Sequence, residues 1–439
     1  MSVNPARKLA HTPQQQTHGE NRYVMKPVTQ HSVSLLLAGI VASVAPTFRA
    51  FAAPANTHYV ETDLVADATG TTAAHVDANL VNPWGLLRGP GSLWVADNGT
   101  GLITMYSPLG VASTTTIKIP APGTGTGAGT PTAAIMNGSW SFDLTSGTTT
   151  KPATVLVATG SGTIVGWSDR VNSGTPMTVV DNSASGAIYT GLAIAWVPAP
   201  ASTPPPPADD DGDSDRDLRK VPQLYAANFH AGVVEVFDAS FKPVTTFTDK
   251  TLPAGFAPYG IRTIRGKLYV TFAKQSADMK TAVAGAGNGY VDIFNPDGTL
   301  VKQFVATGAL NAPWGLTVSR GDFGTYSHAL LVGNHGDGLV NAYDLKTGTL
   351  LGHLTKADGS DLAIDGLWSI NVGSDDHGWG RGDDHGRGDD HHEWGRNDDS
   401  SKAAIQGDGA TLYFTAGPSG GTHGLLGALR PVDMDTDSD

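Results

Sequence analysis

The hydrophobic positions of this chain fall in short runs that alternate with polar ones and close on Gly, Pro, Asn or Asp. Examples are Leu93-Trp94-Val95-Ala96-Asp97, Val233-Val234-Glu235-Val236-Phe237 and Tyr290-Val291-Asp292-Ile293-Phe294. A period near two, broken repeatedly by turn formers, predicts many short strands rather than helices. One grouping of these runs recurs. Asn82-Pro83-Trp84-Gly85-Leu86-Leu87 is followed by Gly91-Ser92-Leu93-Trp94-Val95-Ala96-Asp97-Asn98. Ala312-Pro313-Trp314-Gly315-Leu316 is followed by Ala329-Leu330-Leu331-Val332-Gly333-Asn334-His335, and Ala257-Pro258-Tyr259-Gly260-Ile261 by Gly266-Lys267-Leu268-Tyr269-Val270-Thr271. Each copy is a turn, an apolar strand, a loop and a second apolar strand, and repetition on this scale sets an architecture before any single residue does.

Grouped in fours, the runs give six units of roughly 50 to 55 residues, which predicts an all-β, six-bladed β-propeller of four-stranded blades. The first strands of the units are expected from Trp84, Trp140, Gly191, Ile261, Leu316 and Asp365. Blade two in particular is expected over Trp140 to Leu144, Thr154 to Ala158, Thr163 to Trp167 and Met177 to Val180. Asn295-Pro296-Asp297-Gly298 and Lys346-Thr347-Gly348 read as hairpin turns between outer strands. Blade six has Asp365 to Val372, Thr411 to Thr415 and Gly424 to Leu429 but no fourth strand. The orphan run His58 to Val65 is the natural replacement, closing the ring by pairing the N-terminal strand into the last blade.

The repeat resembles the NHL-type propeller unit, in which a Pro-x-Gly-apolar opening precedes Gly-x-Leu-Tyr/Trp-Val-Ala-Asp and then an Ile/Val-x-Val-Phe/Tyr strand. Blades one, four and five match best. Residues 53 to 432 as a whole also resemble a family of secreted bacterial propeller proteins of unknown function. The wider resemblance takes in lactonases of the regucalcin type, lyases and interaction scaffolds, so it implies a fold rather than an activity.

Composition narrows the setting. Across 439 residues there are 55 glycines, no cysteine and a formal charge of -13. The charge argues against nucleic acid or an anionic membrane as partner. The missing cysteines exclude disulfides, thiolate nucleophiles and Cys-metal sites. Residues 1 to 52 read as an N-terminal extension with an export signal: Lys26, the apolar run from Val33 to Ala42 and the small-x-small site Ala50-Phe51-Ala52. Pro46 and Arg49 interrupt the run too soon for a membrane span. The expected mature protein is a secreted monomer, extracellular or periplasmic, with no membrane insertion, and it ends in an acidic tail at 433–439. Two low-complexity insertions, 198–220 and 374–402, fall between the first and second strands of blades three and six. The second is rich in His and Asp and is a candidate for loose metal binding.

Propeller topology turns position in the repeat into a face. The starts of the first strands and the ends of the second strands lie on one face, here called the site face, and the insertions lie on the other. Asp97, Asn228 and Asn334 end second strands and supply hard oxygen donors suited to Ca2+ or another divalent cation. His230 and His335 follow closely as candidate proton carriers. Asn82, Trp84, Asn98, Asn311, Trp314 and Asp365 line the same face as candidate ligand-binding residues. Asp97, Asn228 and Asn334 read equally as turn residues that bond their own backbone, and the tryptophans as wedges between blades. The expected function is a binding or scaffold module for a small molecule, glycan or protein. The alternative is a metal-dependent, lactonase-like hydrolase or a lyase with the ion on the propeller axis.

Overall fold

The computed structural model describes residues 57–89, 91–123, 126–199, 220–372 and 410–433. The expected export signal, most of both insertions and the acidic tail lie outside them. Within these residues the period-two runs form six blade sheets and one separate hairpin, and the first strands, β1 (Thr57–Ala66) and β2 (His75–Val76), join the sheet of the last blade. Blade one is β3 (Pro83–Gly89), β4 (Ser92–Asp97), β5 (Leu102–Tyr106) and β6 (Ile117–Lys118). Blade two is β7 (Pro131–Met136), then, after a separate hairpin of β8 (Asp143–Ser146) and β9 (Thr149–Pro152), β10 (Val155–Thr159), β11 (Thr163–Trp167) and β12 (Met177–Asp181). Blade three is β13 (Tyr189–Pro198), β14 (Lys220–Asn228), β15 (Val233–Phe237) and β16 (Pro243–Phe247). Blade four is β17 (Phe256–Ile264), β18 (Lys267–Lys274), β19 (Gly289–Phe294) and β20 (Leu300–Ala306). Blade five is β21 (Pro313–Val318), β22 (Ala329–Asn334), β23 (Val340–Asp344) and β24 (Leu350–His353). Blade six is β25 (Leu367–Val372), β26 (Leu412–Ala416) and β27 (Leu425–Asp433), with β1 antiparallel to β27 from Thr57↔Asp433 to Ala66↔Leu425.

The innermost strands touch in the cyclic order β3, β7, β13, β17, β21, β25 and back to β3. Hydrophobic clusters fill the interfaces between successive blades. One joins Leu87, Trp94 and Ile103 of blade one to Val155 and Val165 of blade two. Another joins Leu64, Tyr413 and Leu426 of blade six to Leu86, Leu93 and Tyr106 of blade one. Full burial of such side chains contributes about 1.5–3 kcal/mol each. The outer strands β16, β20 and β24 are largely exposed, so the core lies between the blades and toward the axis.

The Pro-x-Gly opening has a steric cause. A Cβ on Gly260 of β17 would stand 2.1 Å from the Trp314 carbonyl oxygen of β21, and one on Gly315 would stand 2.8 Å from the Trp368 carbonyl oxygen of β25. Glycine is the residue that lets one innermost strand approach the next this closely. The two predicted turns form as well, with Gly298 N–H donating to Asn295 O at 2.9 Å and Gly348 N–H to Asp344 O at 2.9 Å.

The expected start of blade two is wrong. Its innermost strand is β7, pairing with β10 through Leu156↔Ile135 and Val157↔Ala134. Trp140 is 92% exposed in the connection that follows. Pro131-Thr132-Ala133-Ala134 keeps the proline but carries no aromatic and no glycine, so the downstream tryptophan mimics the missing landmark.

Candidate functional site

Three blades open their innermost strand in the same way. Asn82, Ala312 and Gly366 hold left-handed backbone (φ 46°, 46° and 70°) just before β3, β21 and β25. Their carbonyls accept the N–H groups of Asn98 (3.2 Å), His335 (3.1 Å) and Gly417 (2.9 Å), each the first residue beyond a second strand. This conformation costs little for Gly and is tolerated by Asn, but it strains Ala. The shared strand opening fixes where the turns of the site face stand relative to the axis.

The three oxygen donors that end second strands are each engaged within their own blade. Asn228 Oδ1 accepts the N–H groups of Ala231 (3.1 Å) and Ile188 (3.3 Å), while its Nδ2 donates to Glu235 Oε1 at 2.7 Å. Asn334 Oδ1 accepts Asn311 N–H at 3.1 Å, and its Nδ2 donates to Ala309 O at 2.8 Å. Asp97 is fully buried, and its Oδ2 accepts the Thr104 hydroxyl at 2.7 Å. Its Oδ1 has no hydrogen-bond partner among the described residues. Burial holds its carboxyl well above the ordinary range, partly offset by the Thr104 hydrogen bond, and nearby Asp77 adds to the rise. Of the three, only Asp97 therefore presents an unengaged oxygen.

At the axis the residues in the x position of Pro-x-Gly gather around Trp368 of β25. Trp84 stacks on Trp368 with ring centroids 3.5 Å apart, and His335 stacks on Trp368 at 3.7 Å. Trp314 meets Trp368 edge-on at 6.0 Å, and Tyr259 lies 6.2 Å from it. The indole N–H of Trp368 donates to Asn82 Oδ1 at 3.1 Å, and that of Trp314 donates across the axis to Thr190 O at 3.0 Å. The indole N–H of Trp84, a partly exposed residue, is itself buried and has no partner among the described residues. Tryptophans from three blades thus close the axis, and Trp84 is the partly exposed one among them.

His335 Nδ1 lies 3.0 Å from Leu367 O, so the neutral ring carries its proton there and keeps Nε2 as its acceptor. Burial lowers its pKa, which favours that neutral form. His230 Nδ1 is buried without a partner among the described residues. Asn98 Nδ2 donates to Pro131 O of the next blade at 3.2 Å. Asn311 Oδ1 accepts Gly285 N–H at 2.6 Å and its Nδ2 donates to Asp337 Oδ2 at 3.1 Å. Asp365 is exposed, with Oδ2 accepting Ser419 N–H at 2.8 Å. The structure gathers Asn82, Trp84, Trp314 and His335 around Trp368 and gives Asn98, Asn311 and Asp365 partners in the surrounding turns.

Two features escaped the sequence reading. Glu235 gathers Asn182, Tyr189 and Asn228, with the Tyr189 hydroxyl at 2.5 Å. The seven-residue spacing that joins Asp97 to Thr104 and Asn228 to Glu235 was available as a signal. Trp368 reads from the sequence, like Trp84 and Trp314, as a ligand-stacking or blade-packing residue, but its central place is not legible there, because the Leu367-Trp368-Ser369 opening of blade six lacks both proline and glycine.

No protein-family model matches the chain. Among curated proteins it is 31% identical over 315 residues to the uncharacterized protein R648 of Acanthamoeba polyphaga mimivirus, covering 69% of this chain and 71% of that one. It is 30% identical over 304 residues to the uncharacterized protein L690 of the same virus, covering 67% and 74%. Among solved structures it is similar to a streptogramin B lyase (9% identity, TM-score 0.41, 86% of this chain and 98% of that one). It is also similar to a structural genomics protein of unknown function from Bacteroides thetaiotaomicron (10% identity, TM-score 0.48, 86% and 76%). Likenesses that distant say nothing of function. The identity and coverage with the viral proteins place this chain in the family of R648 and L690.

Proposed function

We propose that this propeller is a binding or scaffold module that engages a small molecule, glycan or protein at the site face. The observation that carries this reading is the axial stack of Trp84, Trp368 and His335. It closes the axis with aromatic surface that is partly exposed at Trp84 and His335 and adds the Nε2 acceptor of His335, the mix of apolar area and few polar groups that ligand sites use. The sequence at Lys26, Val33 to Ala42 and Ala50-Phe51-Ala52 supports an exported setting. Its test is the mature N-terminus after expression in a secreting host, where a start near Ala53 is expected and an intact residue 1–52 segment overturns it.

A second reading, a hydrolase or lyase using a divalent cation, is favoured by one observation, the unengaged and buried Asp97 Oδ1. Asn228 and Asn334 already accept backbone N–H groups, so as arranged the three side chains do not make an ion cage and no reaction step follows from them. Calcium titration with thermal unfolding separates the two readings. An ion at 100 times its dissociation constant would add about 2.7 kcal/mol. The binding-module reading expects no Asp97-dependent rise in Tm, together with loss of ligand or partner capture in Trp84→Ala. A rise that Asp97→Ala removes would sink it in favour of the metal reading.

A further inference from the structure

In blades one, three and five the connection that enters the blade is fastened to that blade's third strand by a polar contact. Ahead of blade one, Asp77 accepts the Tyr106 hydroxyl of β5 at 3.0 Å. Ahead of blade three, Asn182 donates to Glu235 of β15 at 3.1 Å. Ahead of blade five, Ala309 O accepts Asn341 Nδ2 of β23 at 3.1 Å. Each of these contacts has a donor and an acceptor.

Blade four departs from the pattern. Its connection supplies Asp249 and its third strand, β19, supplies Asp292, and the two carboxyl groups face each other within hydrogen-bonding reach. Asp292 is 0% and Asp249 5% exposed, amid a core that contains Tyr290 and Phe294 with Phe247, Leu252 and Phe256 packed against it. Both oxygens of Asp292 and Oδ2 of Asp249 have no donor among the described residues. Asp249 Oδ1 accepts the N–H and hydroxyl of Thr251, both at 2.7 Å, an arrangement that suits a carboxylate.

Nearby cations are engaged elsewhere. Lys267 donates to Asn295 Oδ1 and Lys302 to Lys346 O, and Arg262 binds Leu316 O and Asn371 Oδ1. Lys250 and Lys274 are exposed, and the Tyr225 hydroxyl donates to Pro296 O. Glu235 is occupied by Asn182, Tyr189 and Asn228 on β15. Two acceptor-only groups cannot bond in a dry site unless one of them carries a proton.

We infer that Asp249 and Asp292 form a proton-held clasp between blades three and four, which opens when both carboxyls ionise. The proton sits on Asp292, which donates to Asp249. Burial, with the facing Asp249 carboxyl, pushes Asp292 up to about 8, so the clasp is closed at neutral pH. The unfolded chain releases this proton near the ordinary Asp value, about 3.9. Between there and about 8 the folded state binds more protons, so stability falls as pH rises through that window and levels off above it. The connection runs directly into β17 and Tyr259, so opening the clasp loosens an approach to the axial aromatic cluster.

Trypsin cleavage after the exposed Lys250, followed by mass spectrometry on the full chain, tests this. In Asp292→Asn an amide donor replaces the shared proton at every pH. The wild-type to Asp292→Asn cleavage ratio is expected to rise about tenfold from pH 7 to pH 9, as the ionised fraction goes from about one-tenth to about nine-tenths across a midpoint of about 8. Asp249→Asn, which also restores a donor, should flatten the profile likewise and serves if Asp292→Asn does not fold. A ratio constant from pH 7 to 9 overturns the clasp. So does protection of the wild type by added calcium near pH 9 that both variants lack, since a cation and not a proton would then join the pair.

Discussion

Gly260 is where the repeat motif meets its hardest constraint. Its absent side chain would sit 2.1 Å from the Trp314 carbonyl oxygen, an atom that cannot swing aside because it belongs to the next innermost strand. Gly260→Ala is therefore expected to lower stability by about 1–3 kcal/mol or more, as overpacking does, measured as a shift in denaturant midpoint at unchanged m. A neutral result would mean that β17 and β21 yield where the structure holds them tight. The Pro-x-Gly residues were legible because repetition exposes a backbone requirement directly. The partners of Asp97, Asn228 and Asn334 were not, because a side chain that bonds its own blade and one that ligates a metal share one sequence signature.

At the scale of elements, β1 shows what sequence pattern does convey. A strand with no local partner and a blade with three strands are both visible along the chain, and β1 pairs with β27. Tyr59 extends the attachment to blade five. Its hydroxyl donates to Phe323 O at 3.1 Å, and its ring lies 5.1 Å from Phe323 and 6.0 Å from Tyr326. Tyr59→Ala is expected to cost about 3–5 kcal/mol, the range for truncating a buried aromatic. Chemical denaturation would check this, and a cost below 1 kcal/mol would show that β1 adds little to the ring. Blade two was misread for an equally physical reason. Its innermost strand is identified by burial beside β3 and β13, and its own residues, Pro131 to Met136, lack the Trp or Tyr and the Gly that mark its siblings.

For the whole molecule, the two low-complexity insertions leave and rejoin strands that are already paired at those ends, Pro198 with Lys220 and Val372 with Leu412. Replacing 200–219 and 374–402 with short Gly-Ser turns should leave the melting temperature unchanged or slightly raised, since shorter loops cost less closure entropy. A fall of several degrees in a thermal scan would show that the insertions contribute to the folded state. The same topology bears on orientation. β27 runs away from the site face, and Thr57 pairs with Asp433 at its far end, so both ends of the described propeller lie on the face opposite the Trp84–Trp368 stack. A partner anchored at Thr57 or Asp433 would therefore hold the disc by its back and leave the aromatic face pointing away from the attachment.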